Sequence, residues 1–233
     1  MATRAGWTLL GCIAALSLAS GAAQSADAAA DHAAASAAPA APADPRVRVT
    51  TNMGDFVIEL YPDRAPLTVA SFLRYVRAGH YTNTLFHRVI SGFVVQGGGY
   101  DATTDQLKPV TQAIPNESGN GLQNKRGTVG LARATAPHSG NCQFYVNLVD
   151  NAELDPLPTR WGYAVFGSVV EGMDVVDRIG ITPTGAVGPF TGDAPLKPVV
   201  IEKVELLSSA EAASVGAQQA KPASSTPPVL SPR

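Results

Sequence analysis

The chain has 233 residues, a formal net charge of −2 and only 15% charged residues, against about a quarter in a typical soluble domain. No run of Lys or Arg occurs, which argues against a nucleic-acid partner and against a basic helix lying on an anionic membrane. Two cysteines, Cys12 and Cys142, cannot build a disulfide framework, and His32, His80, His87 and His138 show no ligand spacing, so no metal is expected.

The chain opens with an export signal. Arg4 supplies a positive start, Trp7 to Ala19 an apolar stretch, and small residues offer cleavage after Ala23 or as late as Ala28. Residues 1–23 are therefore expected to be removed and the mature protein to be periplasmic. Leu9-Leu10-Gly11-Cys12 resembles a lipoprotein box, but the apolar run continues well past Cys12, which makes anchoring there the weaker reading. No other stretch approaches the ~20 apolar residues that a membrane span needs. Residues 24–45 are Ala/Pro-rich and read as a linker, unable to bury enough apolar surface to offset chain entropy.

Folding signals begin at Arg46. Arg46–Thr51 alternates polar and β-branched residues, Asn52-Met53-Gly54-Asp55 makes a turn, and the mostly apolar run Phe56–Tyr61 follows, as two strands around a turn do. Pro66 then opens a helix with Val69, Phe72, Leu73 and Val76 on one face and Gly79 at its exit. Strand-like runs follow at Leu85–Ile90, Phe93–Gln96, Thr128–Ala132, Gln143–Leu148, Tyr163–Val169 and Val199–Leu206, with a short helix at Met173–Ile179. Gly98 to Arg126 holds no sustained period and reads as loop. Residues 208–233, rich in Ala, Ser and Pro, read as a disordered tail. One domain over 46–207 remains, mainly β. Eight short strands with two helices suit a closed antiparallel barrel with two capping helices, which leaves no free sheet edge.

One segment carries chemistry: Phe86-His87-Arg88-Val89-Ile90-Ser91-Gly92-Phe93-Val94-Val95-Gln96-Gly97-Gly98. An arginine inside a strand-like apolar run is unexpected, because Arg is rarely buried unless paired. Period-two alternation puts Phe86, Arg88 and Ile90 on one face, giving a cationic donor among aromatic and amide groups. A structural arginine in a buried ion pair is the competing reading. Gly97-Gly98-Gly99 lacks the Lys-Ser/Thr and the βαβ spacing of a nucleotide loop and reads as tight-turn glycines. Cys142 reads as a buried small hydrophobe. Asp150, Glu153 and Asp155 read as a solvated acidic face.

This run resembles the cyclophilin signature F-H-R-V-I-x-G-F-x-x-Q-G-G. Further matches arrive in family order: Val69-Ala70-Ser71-Phe72-Leu73 with Gly79 and Tyr81, Arg126 to Arg133, Cys142 to Asn147, and Gly162 to Val176. The resemblance implies a cyclophilin-like barrel that catalyses cis-trans isomerisation at Xaa-Pro bonds without a metal or organic cofactor, on proline-containing polypeptides. Nothing in the sequence demands more than a monomer. Carried over by position, the catalytic group is Arg88, supported by Gln96 and Phe93. The proline pocket falls on Phe93, Val94, Tyr145 and Leu154. Gln143, His87 and Tyr163 join the substrate-binding set, with backbone groups near Ala132 and Arg133. Val94 and Tyr145 stand where Met and Phe are common, and Tyr163 where many members carry His. Glu153 replaces a common Trp or Phe, which implies weak cyclosporin binding. A non-catalytic proline-peptide-binding or chaperone module on the same barrel is the alternative.

Overall fold

The computed structural model describes residues 44–219. The expected export signal, most of the expected linker and the last residues of the expected tail lie outside them. In chain order the elements are β1 (Arg46–Thr51), β2 (Gly54–Leu60), α1 (Pro66–Arg77), β3 (Thr84–Leu85), β4 (Arg88–Ile90), β5 (Val94–Gly97), β6 (Thr128–Leu131), β7 (Phe144–Asn147), β8 (Val165–Glu171), α2 (Met173–Gly180), β9 (Thr184–Val187), β10 (Phe190–Pro195), β11 (Val200–Leu206) and α3 (Ser209–Gln219).

The main sheet is antiparallel, with nine strands in the order β3-β11-β1-β2-β8-β6-β7-β5-β4. Its two end strands, β3 and β4, are consecutive in the chain. The expected strand Leu85–Ile90 is therefore broken at Phe86-His87: its first part pairs with β11 and its second with β5. The Phe86 amide still donates to the Val199 carbonyl, and the Gly98 amide to the Leu85 carbonyl, so the chain itself stitches the seam of the barrel. The expected eight strands become nine because of this change of partner.

The break corrects the expected alternation. Phe86 is buried in the barrel core with Phe56 and Phe144, whereas Arg88 is half-exposed on the outside. Register then assigns the two faces of the wall. Val89, Val95, Val146 and Val129 form one cross-strand row pointing inward, each 1% exposed or less. The neighbouring row, Arg88, Gln96, Tyr145 and Gly130, belongs to the outer face.

Helix α1 begins and ends as its sequence dictates. Pro66 occupies the first turn, and the carboxylate of Glu117 in the long loop accepts from the Leu67 and Thr68 amides. At its other end Gly79, at φ 67, lets the Gly79 amide reach the Val76 carbonyl and the His80 amide the Tyr75 carbonyl, a Schellman stop. The apolar faces of α1 and α2 meet one core, in which Phe72 packs on Tyr81, Phe144 and Phe166.

Two elements were not expected. The hairpin β9–β10 forms a second small sheet packed beside β4. Helix α3 occupies Ser209–Gln219, where a structureless tail is expected. Val215 on α3 is buried with Val57 and Leu207, and Arg46 donates to the Ala212 carbonyl at 2.6 Å.

Candidate active site

The outer row on β4, β5 and β7 floors a groove of about 410 Å³, lined by Arg88, Phe93, Val94, Gln96, Ala132, Arg133, Tyr145, Leu154 and Tyr163. Strand geometry places the central members. Val94 and Gln96 stand two apart on β5, and Gln96 lies opposite both Arg88 and Tyr145. Arg88 Nη1 donates to Gln96 Oε1 at 3.2 Å, and Gln96 Nε2 donates to Gln143 Oε1 at 3.1 Å. Gln143 itself lines the adjoining polar recess with Asn141 and Ser139. A side chain at Gly99 would collide with Gln143, so the glycine run makes room for this relay.

The apolar side is built from loops. Phe93 is fixed through its carbonyl, which accepts from the Leu148 amide at 2.9 Å and from Asn151 Nδ2 at 3.1 Å. Leu154 closes a 3-10 turn, Ala152–Leu154, and its carbonyl accepts from the Tyr163 amide. Val94, Ala132 and Tyr145 are buried as a small cluster of their own, with Phe93, Leu154 and Tyr163 packed on it. The ring of Tyr145 fits only because Gly130 opposite lacks a side chain.

Arg88 is not clasped. Its one carboxylate neighbour among the described residues, Asp193, lies 3.9 Å from Nε, and the two side chains are 40% and 52% exposed. A buried structural ion pair is therefore not what holds this arginine. A fixed guanidinium edges an open groove with an apolar pocket beside it, which suits a peptide carrying a small apolar ring.

The profile described as "Cyclophilin type peptidyl-prolyl cis-trans isomerase/CLD" matches residues 46–206. The chain belongs to the cyclophilin-type peptidyl-prolyl cis-trans isomerases. It is 50% identical over 157 residues to peptidyl-prolyl cis-trans isomerase B of Escherichia coli (strain K12), covering 66% of this chain and 94% of that protein. It is 48% identical over 164 residues to peptidyl-prolyl cis-trans isomerase cyp18 of Streptomyces antibioticus, covering 69% of this chain and 98% of the relative. The crystal structure of a Cryptosporidium parvum cyclophilin superposes with a TM-score of 0.61 at 25% identity, covering 71% of this chain and 98% of that one. Another structure of that parasite protein, obtained in the presence of the dipeptide Ala-Pro, gives a TM-score of 0.60, again at 25% identity, covering 70% of this chain and 99% of that one.

Within this cyclophilin the remaining expected residues fall in distinct places. His87 does not line the groove. Its ring is buried behind Arg88, 4.6 Å from Tyr100 and 5.7 Å from Phe190, and burial pulls its pKa down to about 4. Its Nδ1 has no hydrogen-bond partner among the described residues. Arg133 lays its guanidinium over the Tyr163 ring at 4.3 Å and donates to the Trp161, Gly162, Ala134 and Thr135 carbonyls, so its side chain fastens the groove's rim. The Ala132 amide is spent on the Gln143 carbonyl. Cys142 is buried, and burial pushes its thiol up to about 11, so it is no nucleophile.

The acidic cluster is not a merely solvated face. Asp155 Oδ1 accepts from the Asn124 amide and from Asn124 Nδ2, and Asp150 Oδ1 accepts from the Arg126 amide. Glu153 alone of the three makes no side-chain contact of this kind and stands exposed. Sequence reasoning also missed the buried amides behind the pocket. Asn151 Nδ2 donates to Asn147 Oδ1 at 2.7 Å, and Asn147 Nδ2 to Asn124 Oδ1 at 3.3 Å. Among the described residues no His, Cys, Asp or Glu group could hold a metal, and no helix is long and apolar enough to cross a membrane.

Proposed function

We propose that this enzyme accelerates rotation about Xaa-Pro bonds by donating from Arg88 to the proline nitrogen while the amide is twisted. Resonance gives the planar peptide a barrier of ~18–20 kcal/mol, and an Xaa-Pro bond crosses it in tens to hundreds of seconds. No covalent bond is made or broken, so the enzyme needs only to favour the twisted geometry over both planar ones. Twisting returns a lone pair to the nitrogen. A guanidinium, always charged and rigid, then meets an acceptor that the planar amide lacks.

The observation that carries this reading is the placing of a half-exposed Arg88 beside the apolar pocket of Phe93, Val94, Tyr145 and Leu154. The pocket grips the pyrrolidine ring while the preceding carbonyl swings. Gln96 holds Nη1 so that the fork does not follow the substrate into solvent. Gln143, with the backbone at Ala132 and Arg133, borders the path of the flanking peptide. That a relative was crystallised in the presence of Ala-Pro supports a proline ligand for the same groove.

The signal-like residues 1–23 support a periplasmic setting, with unfolded or exported polypeptides as clients. Glu153, exposed where many members carry an aromatic wall, supports weak cyclosporin binding. NMR exchange spectroscopy of an Ala-Pro peptide tests the groove. Cis–trans exchange peaks with shift changes at Phe93, Val94 and Tyr145 are expected, and changes confined to a second recess, lined by Pro156, Leu157, Arg160 and Trp161, would overturn the assignment.

A further inference from the structure

Behind the catalytic strand stands the hairpin β9–β10. Phe190 at the start of β10 seats its ring against Tyr100 at 5.0 Å and His87 at 5.7 Å, and His87 is the residue next to Arg88. The hairpin is not a regular ladder. While β9 steps back from Val187 to Gly185, β10 advances from Phe190 to Ala194, so its excess residues bulge out of the pairing. At the end of this bulge Asp193 sits at φ 58, a left-handed conformation that costs most side chains energy and that Asp and Asn tolerate best.

That strained turn puts a carboxylate beside the guanidinium. Asp193 Oδ2 lies 3.9 Å from Arg88 Nε, while Gln96 engages Nη1 at 3.2 Å. The two groups approach different nitrogens of one planar fork. A contact of 3.9 Å is too long for a firm hydrogen bond, so the carboxylate attracts the cation without occupying its donors.

We propose that Asp193 is a positioning residue for Arg88: from the hairpin bulge it restrains the guanidinium at Nε, as Gln96 does at Nη1, and keeps Nη2 directed to the substrate. This rests on Arg88 being the donor to the twisted amide. Asp193 acts through Arg88, from the position that the hairpin bulge gives it.

The test uses Asp193→Asn, which keeps the shape and the left-handed backbone and removes the charge, with Asp193→Glu as the charge-preserving control. Turnover of an Xaa-Pro peptide is followed against ionic strength, alongside the Arg88 Nε–Hε resonance by NMR. Asp193→Asn is expected to lower kcat about two- to fivefold with KM unchanged, the size an exposed ion pair carries, and to broaden the Nε–Hε signal. Added salt should bring the wild type toward the variant, because an exposed pair is screened. Asp193→Glu should recover part of the loss. In an Arg88→Ala background Asp193→Asn should cost nothing more. Wild-type kcat with an unchanged Nε–Hε signal, or the same loss without Arg88, would overturn the proposal. If instead Arg88→Ala alone keeps full activity, it is the catalytic reading that fails.

Discussion

Tyr145 donates its hydroxyl to Asn124 Oδ1 at 2.6 Å, from a buried position in the apolar pocket beside Arg88. Burial holds this phenol well above its ordinary pKa, so it acts as a neutral donor. Asn124 is held in turn by Asp155, on the loop that carries Leu154. One hydrogen-bond chain thus ties two walls of the pocket together. The Tyr that replaces a common Phe here is an added anchor.

Tyr145→Phe removes one donor and leaves Asn124 Oδ1 with Asn147 Nδ2 at 3.3 Å. A loss of about 1–2 kcal/mol in stability is expected, with kcat/KM within about threefold of wild type. Urea unfolding of both proteins measures this. An unchanged midpoint would show that the hydroxyl anchors nothing.

His87 makes the acid limb of stability. Its folded pKa is about 4 against an ordinary 6.5, chiefly through burial, so the unfolded chain binds the proton more readily. The contribution is complete above about pH 6.5 and is lost as pH falls toward about 4, amounting to about 3 kcal/mol. His80 is shifted in the same direction, by burial first and then by Lys108, and adds to the same limb. For His87→Phe the fall in unfolding free energy from pH 7 to pH 4 should be smaller by about that amount. Equal falls in the two proteins would contradict the assignment.

Glu153→Trp restores an aromatic wall beside Leu154. Cyclosporin should then bind about tenfold tighter or better, equivalent to about 1.4 kcal/mol, as read by calorimetric titration. No gain in affinity would mean that another feature of the groove limits the drug.

Much of this architecture is written locally. Helix α1 follows from Pro66, the spacing of Val69, Phe72, Leu73 and Val76, and a glycine free to turn left-handed at position 79. The long signature names Arg88 and Gln96, and the separate match over Cys142 to Asn147 names Tyr145, but their meeting is a matter of register, which no single strand reveals. Leu85 to Ile90 reads as one strand because Leu85, Phe86, Val89 and Ile90 suit β structure and no Gly or Pro interrupts the run. The change of partner at Phe86-His87 is a tertiary event.

The hairpin escaped because Thr184 to Pro195 is rich in Gly and Pro and mostly exposed, so no alternating apolar face announces it. Helix α3 did carry a signal. Ser208 and Glu211 form a capping box, with the Ser208 amide donating to Glu211 Oε2 at 2.9 Å and the Glu211 amide to Ser208 Oγ at 3.4 Å. The Ala/Ser composition of the tail masked that pattern, although alanine is the best helix former of all.

The most direct test of the account is kcat/KM of Arg88→Ala on a short Xaa-Pro peptide, measured beside its thermal unfolding. Arg88 is half-exposed and its one firm side-chain bond is to Gln96, so the fold should survive its loss. A fall of about 10²–10³ in kcat/KM with an unchanged Tm is the predicted result, the worth of one well-placed donor in a water-excluded site. Wild-type kcat/KM in the folded variant would contradict the claim that this guanidinium stabilises the twisted amide.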